Sequence, residues 1–120
     1  MTNLAYQSPD DSMRCAEDLL SQVDMIKNLG LATMTMSQLH TVLTIAVAKD
    51  TNARVIREQV GLTASTFSKV IGSLKSHRRP GQRGLDLVDT MTVPNSNEKR
   101  LYLTSKGRAL IGALATTTGQ

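Results

Sequence analysis

The sequence predicts a mainly α-helical domain with one small β-hairpin, and three observations lead to this prediction. The 120 residues are 40% apolar and 20% charged, which is the composition of one globular domain with a single core. Apolar residues recur at three- and four-residue steps through most of the chain, as they do in amphipathic helices. Residues 85–104 differ, because they read as two strands around a turn at residues 94–97.

The first helix is predicted to begin at Ser12 and to end at Gly30, within an N-terminal segment of residues 12–34. Acidic residues near its beginning and Lys27 near its end suit the helix dipole. Residues 1–11 are expected to fray. The apolar stripe of this helix requires a partner surface. It comprises Ala16, Leu19, Leu20, Val23, Ile26 and Leu29.

Two further helices are predicted before residue 62. Thr35 and Gln38 form a capping-box pattern for a helix that continues to Lys49. After a turn at residues 50–52, the segment Ala53–Val60 is expected to form a short helix, which Gly61 would end.

The next helix, residues 64–76, has two chemically different faces, and Thr63 is its predicted N-cap. One face carries apolar residues at positions i, i+3, i+4 and i+7, which predicts burial. These are Phe67, Val70, Ile71 and Leu74. The opposite face is small, polar and cationic, and it includes no acidic residue. It carries Ser65, Ser68, Lys69, Gly72 and Ser76, flanked by Thr66 and Ser73.

The rest of the chain is predicted to form a loop, a hairpin and a last helix. Residues 77–84, with the sequence HRRPGQRG, are interpreted as a basic loop. The hairpin occupies residues 85–104, and Asp89 interrupts its alternation, which indicates a bulge. The last helix is predicted over residues 105–115.

Basic residues are concentrated in the later part of the chain. Residues 1–53 contain three basic and six acidic residues (net −3), whereas residues 54–120 contain eleven and four (net +7). This polarity indicates an electrostatic surface for a polyanion. Because the chain has only two tyrosines, one phenylalanine and no tryptophan, it lacks the stacking platforms typical of single-stranded nucleic acid binding.

Other kinds of site are not indicated. His40, His77 and Cys15 are too dispersed in the sequence for a zinc site, and no serine lies in a nucleophile-elbow context. We therefore expect no enzyme, metal or cofactor. A lone cysteine suits a reducing compartment, no apolar run approaches the roughly 20 residues of a membrane span, and the acidic N-terminus does not resemble a signal peptide. Cytoplasm is the predicted location.

The order of elements over residues 35–104 is the layout of a winged helix-turn-helix, with the wing at residues 85–104. Such folds bind duplex DNA by placing the second helix of the motif in the major groove. Predicted base contacts are Ser65, Thr66, Ser68, Lys69 and Ser73. Predicted phosphate contacts are Arg54, Arg57, Lys75, Arg78, Arg79, Arg83, Lys99 and Arg100.

Gly72 costs about 1 kcal/mol relative to alanine in a helix interior. It indicates either close helix packing or close approach to a DNA backbone, with equal weight.

Two segments of the chain resemble motifs of MarR-type transcriptional regulators. Residues 60–68, VGLTASTFS, followed by Leu74, are similar to the helix-turn-helix segment of that family. Residues 100–110, RLYLTSKGRAL, are similar to the segment where the family's wing returns into the next helix. The resemblance covers about two thirds of the chain and implies a DNA-binding regulator with the family's winged helix-turn-helix fold.

The sequence departs from the family pattern in three places. The Gly84-Leu85 pair comes later than in the family, so residues 78–83 look like an insertion. Residues 94–97 replace the family's acidic-arginine wing motif, which leaves Lys99 and Arg100 as substitutes. The chain ends after one short helix, whereas the family dimerises through longer C-terminal helices.

A homodimer is predicted through the N- and C-terminal helices. The stripe of the first helix and a second stripe, Ala109, Leu110, Ala113 and Leu114, would otherwise leave a large exposed apolar patch. Packing of the two stripes on each other within one chain is the alternative. A two-fold dimer would place two recognition helices on half-sites about one helical turn apart, so the expected operator is a pseudo-palindrome.

Two other functions are compatible with the same pattern. One is a protein-interaction module, in which the winged helix binds a polymerase, a replication protein or another regulator. The other is an architectural or replication-origin protein that binds double-stranded DNA with weak sequence preference. A shallow salt dependence would favour the first, and equal binding to random and selected DNA the second. The residues name neither an operator nor a small-molecule effector.

Overall fold

The computed structural model describes residues 9–79 and 82–117, without the side chains of Pro9, residues 77–79 and Gln82. The chain divides into two compact units. One comprises Met1–Ala32 with Gly112–Gln120, and the other comprises Thr33–Ile111. The prediction of a single domain over residues 1–120 stays a prediction.

The first unit contains helix α1 (Pro9–Asn28). This helix begins three residues before the predicted Ser12, because proline is well tolerated in the first turn, where its missing N–H is not needed. The expected fraying is therefore wrong for residues 9–11, and the rest of that prediction lies outside the described residues. Gly30 has a φ of +81°, the left-handed conformation that favours glycine after a helix end.

The second unit begins with the three predicted helices, α2 (Met36–Val47), α3 (Ala53–Val60) and α4 (Ala64–Leu74). Thr35 and Gln38 form the predicted capping box at the start of α2. Gly61 ends α3 in a left-handed conformation with a φ of +81°, and Thr63 caps α4 through its side chain. Both α2 and α4 are two residues shorter at the C-terminus than predicted. A fourth helix, α5 (Ser105–Ala115), begins in this unit where predicted.

The basic segment after α4 is a second hairpin rather than the predicted loop. Strands β1 (His77–Arg79) and β2 (Gln82–Arg83) pair antiparallel. No apolar alternation in the sequence marks these two strands, which are only three and two residues long.

The wing consists of β3 (Val88–Thr92) and β4 (Lys99–Leu103), which pair antiparallel. Its register is continuous from Val88↔Leu103 to Thr92↔Lys99, so the predicted bulge at Asp89 is wrong. The Asp89 carboxylate instead accepts a hydrogen bond of 2.8 Å from the Thr90 N–H. Asn95 in the connecting turn has a φ of +62°, a conformation that asparagine adopts more readily than most residues.

Residues 84–87 cap the C-terminal end of α4 and do not extend the wing strand as predicted. The Leu85 and Leu87 N–H groups donate to the carbonyls of Ser73 and Leu74, at 3.0 and 2.8 Å. A Cβ at Gly84 would lie 1.8 Å from the Lys75 carbonyl oxygen, so only glycine fits this close approach. The N–H groups of residues 85–87 are thus committed to the end of the helix.

The core of the second unit joins all three helices to the wing. Its fully buried side chains include Ile56 on α3, Leu74 on α4 and Leu101 on β4. The core therefore packs α4 against α2 and the wing, and α3 against α2 and the wing, which is the arrangement of a winged helix-turn-helix.

Candidate nucleic-acid interface

The exposed face of α4 is the one predicted from the sequence. Phe67, Ile71 and Leu74 are buried, and they hold the helix by its apolar side. The Thr63 hydroxyl accepts a hydrogen bond of 3.3 Å from the Thr66 N–H, which stabilises the helix start. The residues expected to contact bases on the opposite side are exposed, with one exception. The exposed ones are Ser65, Thr66, Ser68 and Lys69.

Ser73 is the exception, because its side chain is buried and hydrogen-bonded within the chain. It is only 9% exposed. Its hydroxyl accepts a hydrogen bond of 2.8 Å from the Gln38 side chain and donates one of 2.6 Å to the Val70 carbonyl. Ser73 lies close to the buried Phe67 and Leu74 side of α4, so its hydroxyl links α4 to α2 instead of facing a ligand.

The turn between α3 and α4 is fixed by backbone and side-chain hydrogen bonds. The Gly61 N–H donates to the Arg57 carbonyl at 2.9 Å, and the Arg57 guanidinium donates to the Leu62 carbonyl at 3.4 Å. Arg57 is half-buried, whereas Arg54, one turn earlier, is exposed. Of these two predicted phosphate contacts, Arg54 is therefore the more accessible, and Arg57 also serves the turn.

Arg100 on the wing is engaged within the chain. Its guanidinium lies 3.6 Å from the Asp50 carboxylate and 3.7 Å from the Glu98 carboxylate. The Asn52 side-chain amide donates a hydrogen bond to the same Glu98 carboxylate. Two acidic groups thus offset the positive charge of Arg100, which was predicted to contact phosphate. Glu98 directly precedes β4 and lies two residues before Arg100, a spacing that could have indicated their pairing.

The wing is also tied to the helices that precede it. The Leu101 N–H donates to the Thr51 carbonyl at 2.9 Å, which joins β4 to the segment before α3. The Lys75 ammonium donates to the Thr90 hydroxyl at 3.2 Å, which joins the C-cap of α4 to β3. No sequence signal pointed to Thr90, because the pairing depends on the distance between two separate elements.

The remaining predicted phosphate contacts lie on the two hairpins. Lys99 begins β4 and is exposed, and Arg83 ends β2 and is exposed. Arg78 and Arg79 belong to β1, but their side chains lie outside the described residues. The structure thus brings basic positions from both hairpins into the same compact unit as α4.

A groove runs between α3, α4 and the wing. It includes three small residues of α4, namely Ala64, Ser68 and Gly72. None of the described residues that line it is acidic, and four are basic. The basic ones are Arg54, Arg57, Lys75 and Lys99.

The described residues show no other kind of site. No group of three or more histidine, cysteine, aspartate or glutamate side chains in this part of the chain is placed to hold a metal ion. Among the same residues, no helix is long and apolar enough to cross a membrane.

No protein-family model and no curated protein matches the sequence. Solved structures match the fold. A transcriptional regulator from Thermotoga maritima has a TM-score of 0.64 at 16% identity, over 94% of this chain and 75% of that one. A MarR-family transcriptional regulator from Rhodococcus sp. RHA1 has a TM-score of 0.58 at 16% identity, over 94% and 77%. The Mycobacterium tuberculosis regulator MosR, solved in complex with DNA, has a TM-score of 0.54 at 22% identity, over 92% and 74%.

These similarities confirm the fold that the sequence motifs implied. The chain has the winged helix-turn-helix fold found in MarR-family transcriptional regulators, with a mainly helical architecture and one antiparallel wing.

Proposed function

We propose that this chain is a transcriptional regulator that binds duplex DNA through α4. The observation that carries the proposal is the exposed face of α4, which is small, cationic and without an acidic residue on a helix anchored by its apolar side. Ser65, Thr66, Ser68 and Lys69 would enter the major groove, since the N-terminal half of a recognition helix meets base edges. The DNA complex of the structurally similar MosR supports this reading.

Base discrimination through this face would be modest. Serine, threonine and a single lysine can donate or accept hydrogen bonds, but none makes the bidentate contact of arginine with guanine or asparagine with adenine. The shape and deformability of the DNA would supply the remaining specificity.

Phosphate binding would come from basic residues around α4. We assign it first to the exposed Arg54, Arg83 and Lys99, together with Arg78 and Arg79 of the short hairpin. Lys75 and Arg57 would contribute while also holding the wing and the turn. Arg100 is reassigned to positioning the wing, because Asp50 and Glu98 offset its charge.

The proposal includes a homodimer. Helix α1 exposes several large apolar side chains, and Leu19 and Leu20 are each 61% exposed. A second copy of the chain would cover this surface, since contiguous apolar patches of such size are rare on isolated soluble proteins. The regulator would act in the cytoplasm, and no catalytic step is part of its proposed role.

The salt dependence of DNA binding tests the proposal. If about six basic residues neutralise phosphates, the slope of log K against log salt should be about −5. Fluorescence anisotropy with a labelled duplex selected from a random pool, and with random duplex, measures both affinity and specificity. A slope shallower than about −2 would favour a protein-interaction module instead. Equal affinity for the selected and random duplexes would favour an architectural or replication-origin protein.

A further inference from the structure

Gly72 lies inside α4 without a structural reason in the chain itself. No described atom lies within 4 Å of the position that a Cβ would occupy there, so packing within the chain does not require a glycine. Its φ is not in the left-handed region either, unlike those of Gly30 and Gly61. Alanine would therefore fit this position and would favour the helix.

The open space at Gly72 belongs to the groove between α4 and the wing. Ala64, Ser68 and Gly72 follow one another at four-residue intervals along α4, so they form one row beside the groove. Thr90 and Leu101 line it from the wing. The row has the smallest side chains of the exposed part of α4, which lets a ligand approach the helix backbone closely.

The charge of the groove indicates an anionic occupant. Arg54, Lys75 and Lys99 belong to its lining, and none of the described lining residues is acidic. The buried Leu101 and Ile71 form the apolar floor of the same space. A ligand with alternating negative and apolar groups would suit this lining. The sugar–phosphate backbone of DNA is such a ligand.

Duplex DNA could supply such a backbone. The major and minor grooves are separated by one sugar–phosphate strand, so a helix in the major groove, as proposed for α4, has such a strand beside it. We propose that the groove between α4 and the wing seats one sugar–phosphate strand of the DNA, and that Gly72 is the point where it approaches α4 most closely. This inference rests on the proposed function.

Substitution of Gly72 separates this role from a role in folding. Gly72→Ala should raise the melting temperature by a few degrees, because alanine is the better helix former. The same variant should bind DNA at least ~10-fold more weakly, equally on selected and random duplex, because a backbone contact carries no sequence information. Gly72→Leu should bind more weakly still.

Gly112→Ala is the matched control. Gly112 is an exposed glycine of α5, and no described atom lies within 4 Å of its Cβ position either. This variant should gain a similar few degrees and keep wild-type affinity. If the unmodified protein binds DNA and Gly72→Ala binds it equally well, the role of Gly72 in seating the strand would be overturned. The proposed function would stand. Absence of DNA binding by the unmodified protein would overturn the proposed function, and with it this inference.

Discussion

Helices α1 and α4 expose surfaces of different chemistry. Most residues of α1 are exposed, and they include large apolar side chains such as Leu20 and Val23. The exposed face of α4 carries serine, threonine and one lysine. Exposed apolar surface is unfavourable in water and is normally covered by protein. A face with small side chains lets a polyanion approach closely, and its positive charge attracts the polyanion.

The acidic residues strengthen this contrast. Helix α1 has five acidic and two basic residues, whereas α4 has one lysine and no acidic residue. At low ionic strength, where screening is weak, the net negative charge of α1 repels DNA. One chain thus separates a surface suited to another protein from a surface suited to nucleic acid.

The largest effect is expected from Leu20→Asp on α1. In a two-fold interface each substitution occurs twice, and burying a charge at an apolar contact is strongly unfavourable. The dissociation constant of the dimer should therefore rise ~100-fold or more, because each buried leucine contributes about 2–3 kcal/mol. Sedimentation at micromolar concentration should change from twice 13.0 kDa to 13.0 kDa.

Ser21→Asp provides the control for charge. Ser21 is exposed on the same helix and lies outside the apolar stripe, so the variant should keep the mass of the unmodified protein. A mass of 13.0 kDa for the unmodified protein would refute the dimer and leave α1 without its proposed partner.

A smaller effect is expected from Lys69→Ala on α4. The side chain is exposed on the face of α4 that we propose meets the bases, so its loss should weaken the selected site by about 10-fold, or 1–2 kcal/mol, and random DNA less. Arg83→Ala should weaken both duplexes alike, because phosphate contacts carry no sequence information. Anisotropy titrations with both duplexes measure the two ratios. Equal losses on both duplexes for Lys69→Ala would make α4 a phosphate clamp and not a reader.

The fold was largely predictable because local rules determine most of it. Capping residues such as Thr35 and Thr63, and the left-handed Gly61, mark helix ends that the structure confirms. The apolar spacing of α4 correctly predicted the burial of Phe67 and Ile71. These signals lie within a few residues of the features they specify.

The errors arose where one element depends on another. Residues 84–87 have a strand-like sequence, but their N–H groups are committed to the end of α4. Ser73 is at the edge of the polar face, and only the position of Gln38 on α2 shows that it is buried. The Asp50 partner of Arg100 is fifty residues away in sequence. Spacing alone does not reveal such contacts.

The smallest effect is expected from Glu98→Gln on the wing. Removing this carboxylate removes one negative charge beside Arg100, and the amide oxygen can still accept the hydrogen bond from Asn52. The wing should therefore keep its position while Arg100 becomes more available to phosphate. We expect DNA binding to strengthen by about 2–3-fold and the salt slope to steepen by about one. Glu17→Gln, which removes the same charge from the exposed surface of α1, should change neither quantity at physiological salt, because α1 is not among the elements proposed to contact DNA. If Glu17→Gln matched Glu98→Gln, net charge alone would account for both. If neither variant changed binding, the wing tip would not lie against DNA, and the contrast between the two surfaces would rest on α4 alone.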